Sequence, residues 1–576
     1  MANRDKKRVN RRKVLKYGGA AAFSVSIAGC SGSQDGSDGS DGSDGSDGGD
    51  GSDGGDGGDG GDGSDGGDGG DGGDGGDGSE EYTVTITQGT HTGTLDPQDF
   101  TGSPARTMVT ALYDKLVTLD FLGSGDVIPQ LASDWEFVEP TRLRLQIRDD
   151  VTWHNGDSLT PQDCVYTVRR VSDSEFGGAT RRELVNVETA EVVDGENAID
   201  IVLSERDPIF LGRLAFSGGV VNQAWMEEND QSFTARNAMG TGAYVVEEFE
   251  PEVRALFRRV DPGEYWNDAY DLTNYPTHLE FLASPEASTR TSQLLAGEVD
   301  LITGVIPEDM DRINNGSGVS VEAFPTDRTM MLMMRNDVEP FDSVEFRKAM
   351  NYATDASVII ETVLSGFGQQ TAQVTPPSWN GDHPDLMATG DANPYPFDLD
   401  MAEQLVEESG YAGTELELVG PAGRYMKDVE VLQALAGQIN QLPNVTVEAS
   451  ALDQSTWREQ ISPELDAKPP FGFFGFGSSP PDAAVKIGRN LTCDRRNSDF
   501  STFCDEELDA MYDEAQAATD PAERRQILEE LNRFLVEDLA ACVPLYFQSH
   551  LYGVSERISF TGIPQEEVYW YAVQRP

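Results

Sequence analysis

Residues 31–79 are almost entirely Gly, Ser and Asp, repeating as S-D-G and G-D-G triplets without Pro or any apolar side chain. Such a segment has nothing to bury, so nothing offsets the entropy of ordering it. Collagen needs Pro-rich triplets, and calcium-binding Gly/Asp repeats need a periodic apolar residue; neither pattern is present. The run reads as a flexible, self-repelling tether with a root-mean-square reach of about 35–40 Å. It confines folding to the roughly 497 residues that follow, enough for two or three domains with real cores. No run of about 18 apolar residues occurs in the chain.

The 30 residues before the tether read as an address. Arg11 and Arg12 precede a short, mildly apolar, Gly-rich run that ends Ile27-Ala28-Gly29-Cys30. The paired arginines resemble a twin-arginine export signal, and the small residues before Cys30 resemble a lipobox. On that resemblance Cys30 is lipidated and becomes the mature N-terminus, anchoring the protein outside the cell membrane. One lipid group holds only marginally, so stable anchoring needs a second chain.

The formal charge is −59. The part beyond the tether carries 34 basic against 85 acidic residues, spread along the whole sequence, with Arg supplying most of the positive charge. A surface this acidic repels nucleic acid and anionic membranes unless salt screens it. It suits a haloarchaeon-like setting of concentrated salt, where the Debye length is about 3 Å at 1 M. An acidic mesophilic protein is the alternative, and stability in low salt separates the two.

Of five cysteines, Cys30 is assigned above. Cys493 and Cys504 lie in one polar loop and are either a disulfide or two free thiols; export favours the disulfide. Cys164 and Cys542 sit in apolar, helical-looking contexts and read as inert core residues. There is no CxxC, and the five His are scattered, so no metal site or cofactor is expected. No Gly-x-Ser-x-Gly elbow, His-Glu-x-x-His or credible Ser-x-x-Lys occurs, which argues against an enzyme.

Alternating patterns predict strands at 82–87, 142–148, 199–203, 416–419, 445–449 and 543–547, and a further strand is expected at 329–336. Helices are predicted at 342–353, capped by Asp342; at 398–410, capped by Asp398 and ended by Gly410; and at 520–541, capped by Asp520. Strands and helices interleave throughout, so the fold class is α/β with mixed sheets.

Four ordered segments resemble the peptide/nickel/opine family of periplasmic binding proteins, family 5 of the solute-binding components of ABC transporters. Residues 131–170 hold Trp135, Ile147-Arg148, Trp153-His154-Asn155-Gly156 and Thr160-Pro161-Gln162-Asp163. Met239 to Tyr244 and then Tyr265-Trp266 form the second segment, and Ala296 to Asp300 the third. Residues 339–355, with Arg347, Ala349, Ala353 and Asp355, are the fourth. Locally, Asn155-Gly156 is a tight turn and Thr160 an N-cap with Pro161 at the first helical position; Trp153 and His154 read as structural.

The resemblance implies a two-lobed periplasmic-binding-protein fold with an inserted accessory subdomain. It places lobe I at 82–115, 232–285 and 542–576, the accessory subdomain at 116–231 and lobe II at 286–541. It further implies a monomer that closes around a small, peptide-like solute and presents it to an ABC transporter permease. Nickel chelates, haem, opines and sugars are other family ligands, and a sensor that meets no transporter is a further possibility. In the family's dipeptide binders a Gly-Asp loop pairs with the ligand's amino group. Here Gly477 or Ser478 stands at that position, with Asp482 a nearby substitute. Gly475 and Phe476 are then cleft lining. Weaker ligand candidates are Thr90 and His91 after the first strand, Arg335 and Asn336 ending the 329–336 strand, and Trp457.

Overall fold

The computed structural model describes residues 81–576, apart from 101, 124, 174, 177, 376–394, 462–467, 478–481 and 494–502. The expected export signal, Cys30 anchor and tether, and Ser478, lie outside the described residues. Among the described residues no helix is long and apolar enough to cross a membrane.

One 11-stranded mixed sheet runs through the molecule. Its path is Val445–Leu452, Thr414–Pro421, Phe471–Phe476, Val319–Met334, Cys542–Ser555, Leu301–Thr303, Thr83–Gln88, His278–Ala283, Arg254–Arg259 and Tyr244–Glu250, with Gly368–Gln370 paired to Cys542–Ser555. A separate four-stranded antiparallel sheet, Ala132–Glu139, Arg142–Ile147, Ala198–Leu203 and Val187–Val192, forms the accessory subdomain. Its core packs Leu143, Leu145, Ile199 and Ile201 under helix Pro161–Ser172. Thr160 caps that helix, as its sequence predicts, and Asp163 reaches back to complete a capping box.

The two longest strands carry the chain between lobes. Val319–Pro325 pairs with Ser549–Ser555 inside the first lobe's sheet, and Thr329–Met333 pairs with Cys542–Phe547 inside the second's. Between them the register slips, so Thr326, Asp327 and Arg328 bulge opposite Gln548. Leu301–Thr303 pairs with Thr83–Gln88 on one side and with Tyr552–Val554 on the other, so the strands on either side of residue 285 share one ladder, while Cys542–Phe547 pairs with Thr329–Met333. The predicted strand at 329–336 is the second half of a 16-residue strand.

Local signals hold with small shifts. Helix Leu399–Ser409 is capped by Asp398 and closed by Gly410 in the left-handed region. Helix Val344–Tyr352 is capped by Ser343 rather than Asp342, whose carboxylate accepts from Tyr411 Oη instead. The 520–541 helix stops at Arg533 and continues as a π-helical turn, Phe534–Asp538. Cys542 opens a buried strand, not a helix. Cys493 and Cys504 are joined by a disulfide.

Candidate functional site

Thr83–Gln88, His278–Ala283 and Leu301–Thr303 run parallel, and so do Thr414–Pro421, Val445–Leu452 and Phe471–Phe476. The register places the C-terminal ends of both sets at the bulge: Thr303 lies opposite Tyr552, and Phe476 opposite Thr329. In open α/β sheets ligands bind outside the carboxyl ends of the strands, where direction reverses. The seam between the lobes is therefore the candidate site.

Arg328 is its central residue. Nε and Nη2 donate to Glu566 at 3.0 and 3.2 Å, and Nη1 donates to the Gly475 carbonyl at 3.0 Å. Its guanidinium carbon stands 5.6 Å from the centre of the Tyr425 ring. Gly475 and Tyr425 belong to lobe II, while Glu566 arrives on the C-terminal segment of lobe I. The pair thus bridges the lobes, with side chains only 17 and 14 % exposed. Asp327 N also donates to Pro564 O at 3.1 Å. Burial alone would raise the Glu566 pKa, but Arg328, helped by His550 and Arg424, holds it below the usual carboxylate value.

Lobe II supplies the wall. Tyr425 Oη donates to Gly475 O at 3.3 Å and accepts from Gly475 N at 3.2 Å, pinning that backbone. Arg424 stacks beside Tyr425 with its side chain in solvent. Lys486 Nζ reaches Asp327 O and Thr329 Oγ1, and burial pushes its pKa down to about 7. In lobe I, Arg290 is 6 % exposed and donates to the carbonyls of Ser284, Pro285, Thr303 and Gly304. It ties the ends of two parallel strands together.

The sequence-derived residues divide. Gly475 sits in the seam, and Gly477 beside it is exposed, its missing Cβ position 3.1 Å from Asp327 Oδ1. Phe476 and Trp457 are 6 and 1 % exposed, and both pack against Phe474 in lobe II's core. Thr90 is exposed; His91 packs on Phe249 of lobe I. Arg335 and Asn336 stand at the other end of the crossing strand. Arg335 is committed to both oxygens of Asp337 and to Lys468 O. Asn336 clasps the backbone of Cys504. Asp482 caps helix Ala483–Asn490 and holds Arg524 bidentately at 2.9 Å, so both oxygens are engaged inside lobe II. It does not stand in for the absent loop carboxylate. The sequence reading missed Arg328, Glu566, Tyr425 and Arg290. Arg328 belongs to a three-residue bulge that no local pattern announces, and Glu566 is one of 101 acidic residues.

Among the described residues no cluster of His, Cys, Asp and Glu could hold a metal ion. Two open cavities lie away from the seam. One of about 190 Å³ is lined by Tyr265, Tyr270, Tyr275, Trp570 and Tyr571. One of about 310 Å³ lies where Arg206 and Pro208 meet Thr519–Pro521.

The chain is similar over some three quarters of its length or more to known proteins. It is 24 % identical over 473 residues to di/tripeptide-binding protein 1 of Pseudomonas aeruginosa, covering 77 % of this chain and 85 % of that one. It is 25 % identical over 485 residues to heme-binding protein A of Haemophilus influenzae, covering 78 and 83 %. The crystal structure of a dipeptide-binding protein from Pseudoalteromonas sp. SM9913 with Met-Leu superposes with a TM-score of 0.72 at 17 % identity, over 86 % of this chain and all of the other. Residues 126–498 match the model of the bacterial extracellular solute-binding proteins, family 5 (middle region), and with a seam between two lobes at the ends of opposed parallel strands, the chain belongs to that family.

Proposed function

We propose that this protein is the extracytoplasmic solute-binding component of an ABC importer, that it captures a peptide or peptide-like solute between its lobes, and that it delivers the solute to a membrane permease. The observation that carries this reading is the Arg328–Glu566 pair, which joins the lobes where both sets of parallel strands end. Charges of both signs and pinned backbone carbonyls there match the groups of a peptide. The di/tripeptide-binding relative supports the ligand class. The twin arginines and Cys30 support export and a lipid anchor, the Gly/Ser/Asp run a tether, and the acidic surface a high-salt setting.

A thermal-shift screen in molar salt tests the reading, since a ligand that binds only the folded state raises the melting point by mass action. Dipeptides and tripeptides are expected to raise it, and native mass spectrometry of the purified protein is expected to show a peptide-sized adduct. A shift with a nickel chelate or a sugar and none with any peptide would replace the ligand class.

A further inference from the structure

The C-terminal segment Pro564–Glu567 does more than close the first lobe. Glu566 is a non-glycine residue with φ +65°, in the left-handed region that costs a side-chain-bearing residue free energy. The strained residue turns neighbouring carboxylates in opposite directions. Glu567 points into lobe I, where Arg106 Nε pairs with it at 2.8 Å and Tyr569 donates to it. Glu566 points into the seam, to Arg328 and, at 3.4 Å, Gln548 Nε2. Gln565 beside it is 7 % exposed, and neither its side-chain oxygen nor its nitrogen has a hydrogen-bond partner. A buried amide without partners is costly, so segments that keep one usually use it. His550, whose pKa burial lowers against the opposing pull of Glu566, brings a further unpartnered buried nitrogen, Nε2.

Resting on the reading that the solute is a peptide, we propose that Glu566 receives the ligand's ammonium group and that its pair with Arg328 is the resting state of a charge clamp. A zwitterionic ligand divides the pair: its ammonium goes to Glu566 and its carboxylate to Arg328, while Gln565 meets the peptide amide. The clamp needs no acidic residue at Gly477, because the carboxylate comes from the other lobe. Each ligand pole thereby bonds one lobe, which is what a closing ligand must do: it gains contacts in the closed form that the open form lacks.

The test measures the affinity of the mature protein in molar salt for Ala-Leu, N-acetyl-Ala-Leu and Ala-Leu-amide. Wild-type protein is expected to prefer free Ala-Leu to the acetylated form on the order of 10- to 100-fold, the worth of one hydrogen bond to a charged group. Glu566→Gln is expected to abolish that preference, so that it binds free and acetylated Ala-Leu within about threefold of each other. Glu566→Asp keeps the charge and serves as the second variant should the glutamine protein not fold; it is expected to retain a reduced preference. Arg328→Lys is expected to shrink the preference for the free carboxylate over the amide. Wild-type protein that binds no peptide overturns the ligand class and this inference together. Peptide binding with an unchanged ammonium preference in the Glu566 variants, or an equal loss for all three ligands, overturns the inference alone.

Discussion

Gly475 shows what single residues decide at the seam. A methyl group there would stand 2.5 Å from Met330 Sδ and 3.0 Å from Arg328 Cδ. Gly475→Ala is therefore expected to cost about 1–3 kcal/mol of stability by overpacking, read from denaturant unfolding, and to weaken ligand binding by displacing Arg328. Asp114 is the other informative residue. It is 1 % exposed and accepts from Gln130, Thr241, Tyr265 and Trp266, all neutral. Burial, opposed by these hydrogen bonds, pushes its pKa up from 3.8 to about 6. The folded state then holds the proton longer than the unfolded state, so stability falls as pH rises between about 4 and 6. Against Asp114→Asn, which does not titrate, the wild type's advantage should shrink by about 3 kcal/mol or less across that window, measured by urea unfolding at fixed salt.

At the scale of elements, the parts that join lobes or close loops matter most. The Cys493–Cys504 bridge spans a sequence separation of 11, and Asn336 holds Cys504 to the end of the crossing strand. Replacing both cysteines by Ser should lower stability by about 2–3 kcal/mol, as expected for a loop of this length, and should be checked by calorimetry. Arg206, from the accessory subdomain, donates to the carbonyls of Gln516, Ala517 and Ala518 at the end of helix Glu506–Ala517. A cation is favourable at a helix C-terminus, and this one spans two parts of the molecule. Arg206→Ala is expected to cost about 1.5–3 kcal/mol of stability without touching the seam, because it removes hydrogen bonds donated by a charged group; urea unfolding reads it.

At the scale of the whole molecule two properties dominate: charge and closure. With a net charge of −59, self-repulsion is strong when unscreened. The folded state should lose stability as salt falls from molar to about 0.1 M, where the Debye length grows from about 3 to 10 Å. A melting temperature unaffected over that range would contradict the high-salt reading. Closure is expected to appear in small-angle scattering as a smaller radius of gyration on adding ligand, the signature of a hinge between two rigid lobes.

The α/β class, the approximate positions of the strands and helices predicted above, the N-cap at Thr160 and the helix bounded by Asp398 and Gly410 were legible in the sequence. They depend on residues within one or two turns of one another, and periodicity and capping chemistry report such neighbours directly. The pairing of the crossing strands was not legible, because a strand reads the same locally whichever partner it joins. The seam was legible only at Gly475 and Gly477. Arg328, Tyr425 and Glu566 meet across sequence separations that no local pattern encodes, and Arg335 and Asp482, which look equally available in the sequence, are consumed by Asp337 and Arg524. The linear chain thus determines which charges and turns exist; only the tertiary structure decides which charges face one another across the lobes, because pairing depends on distance in space, and the fold alone sets that.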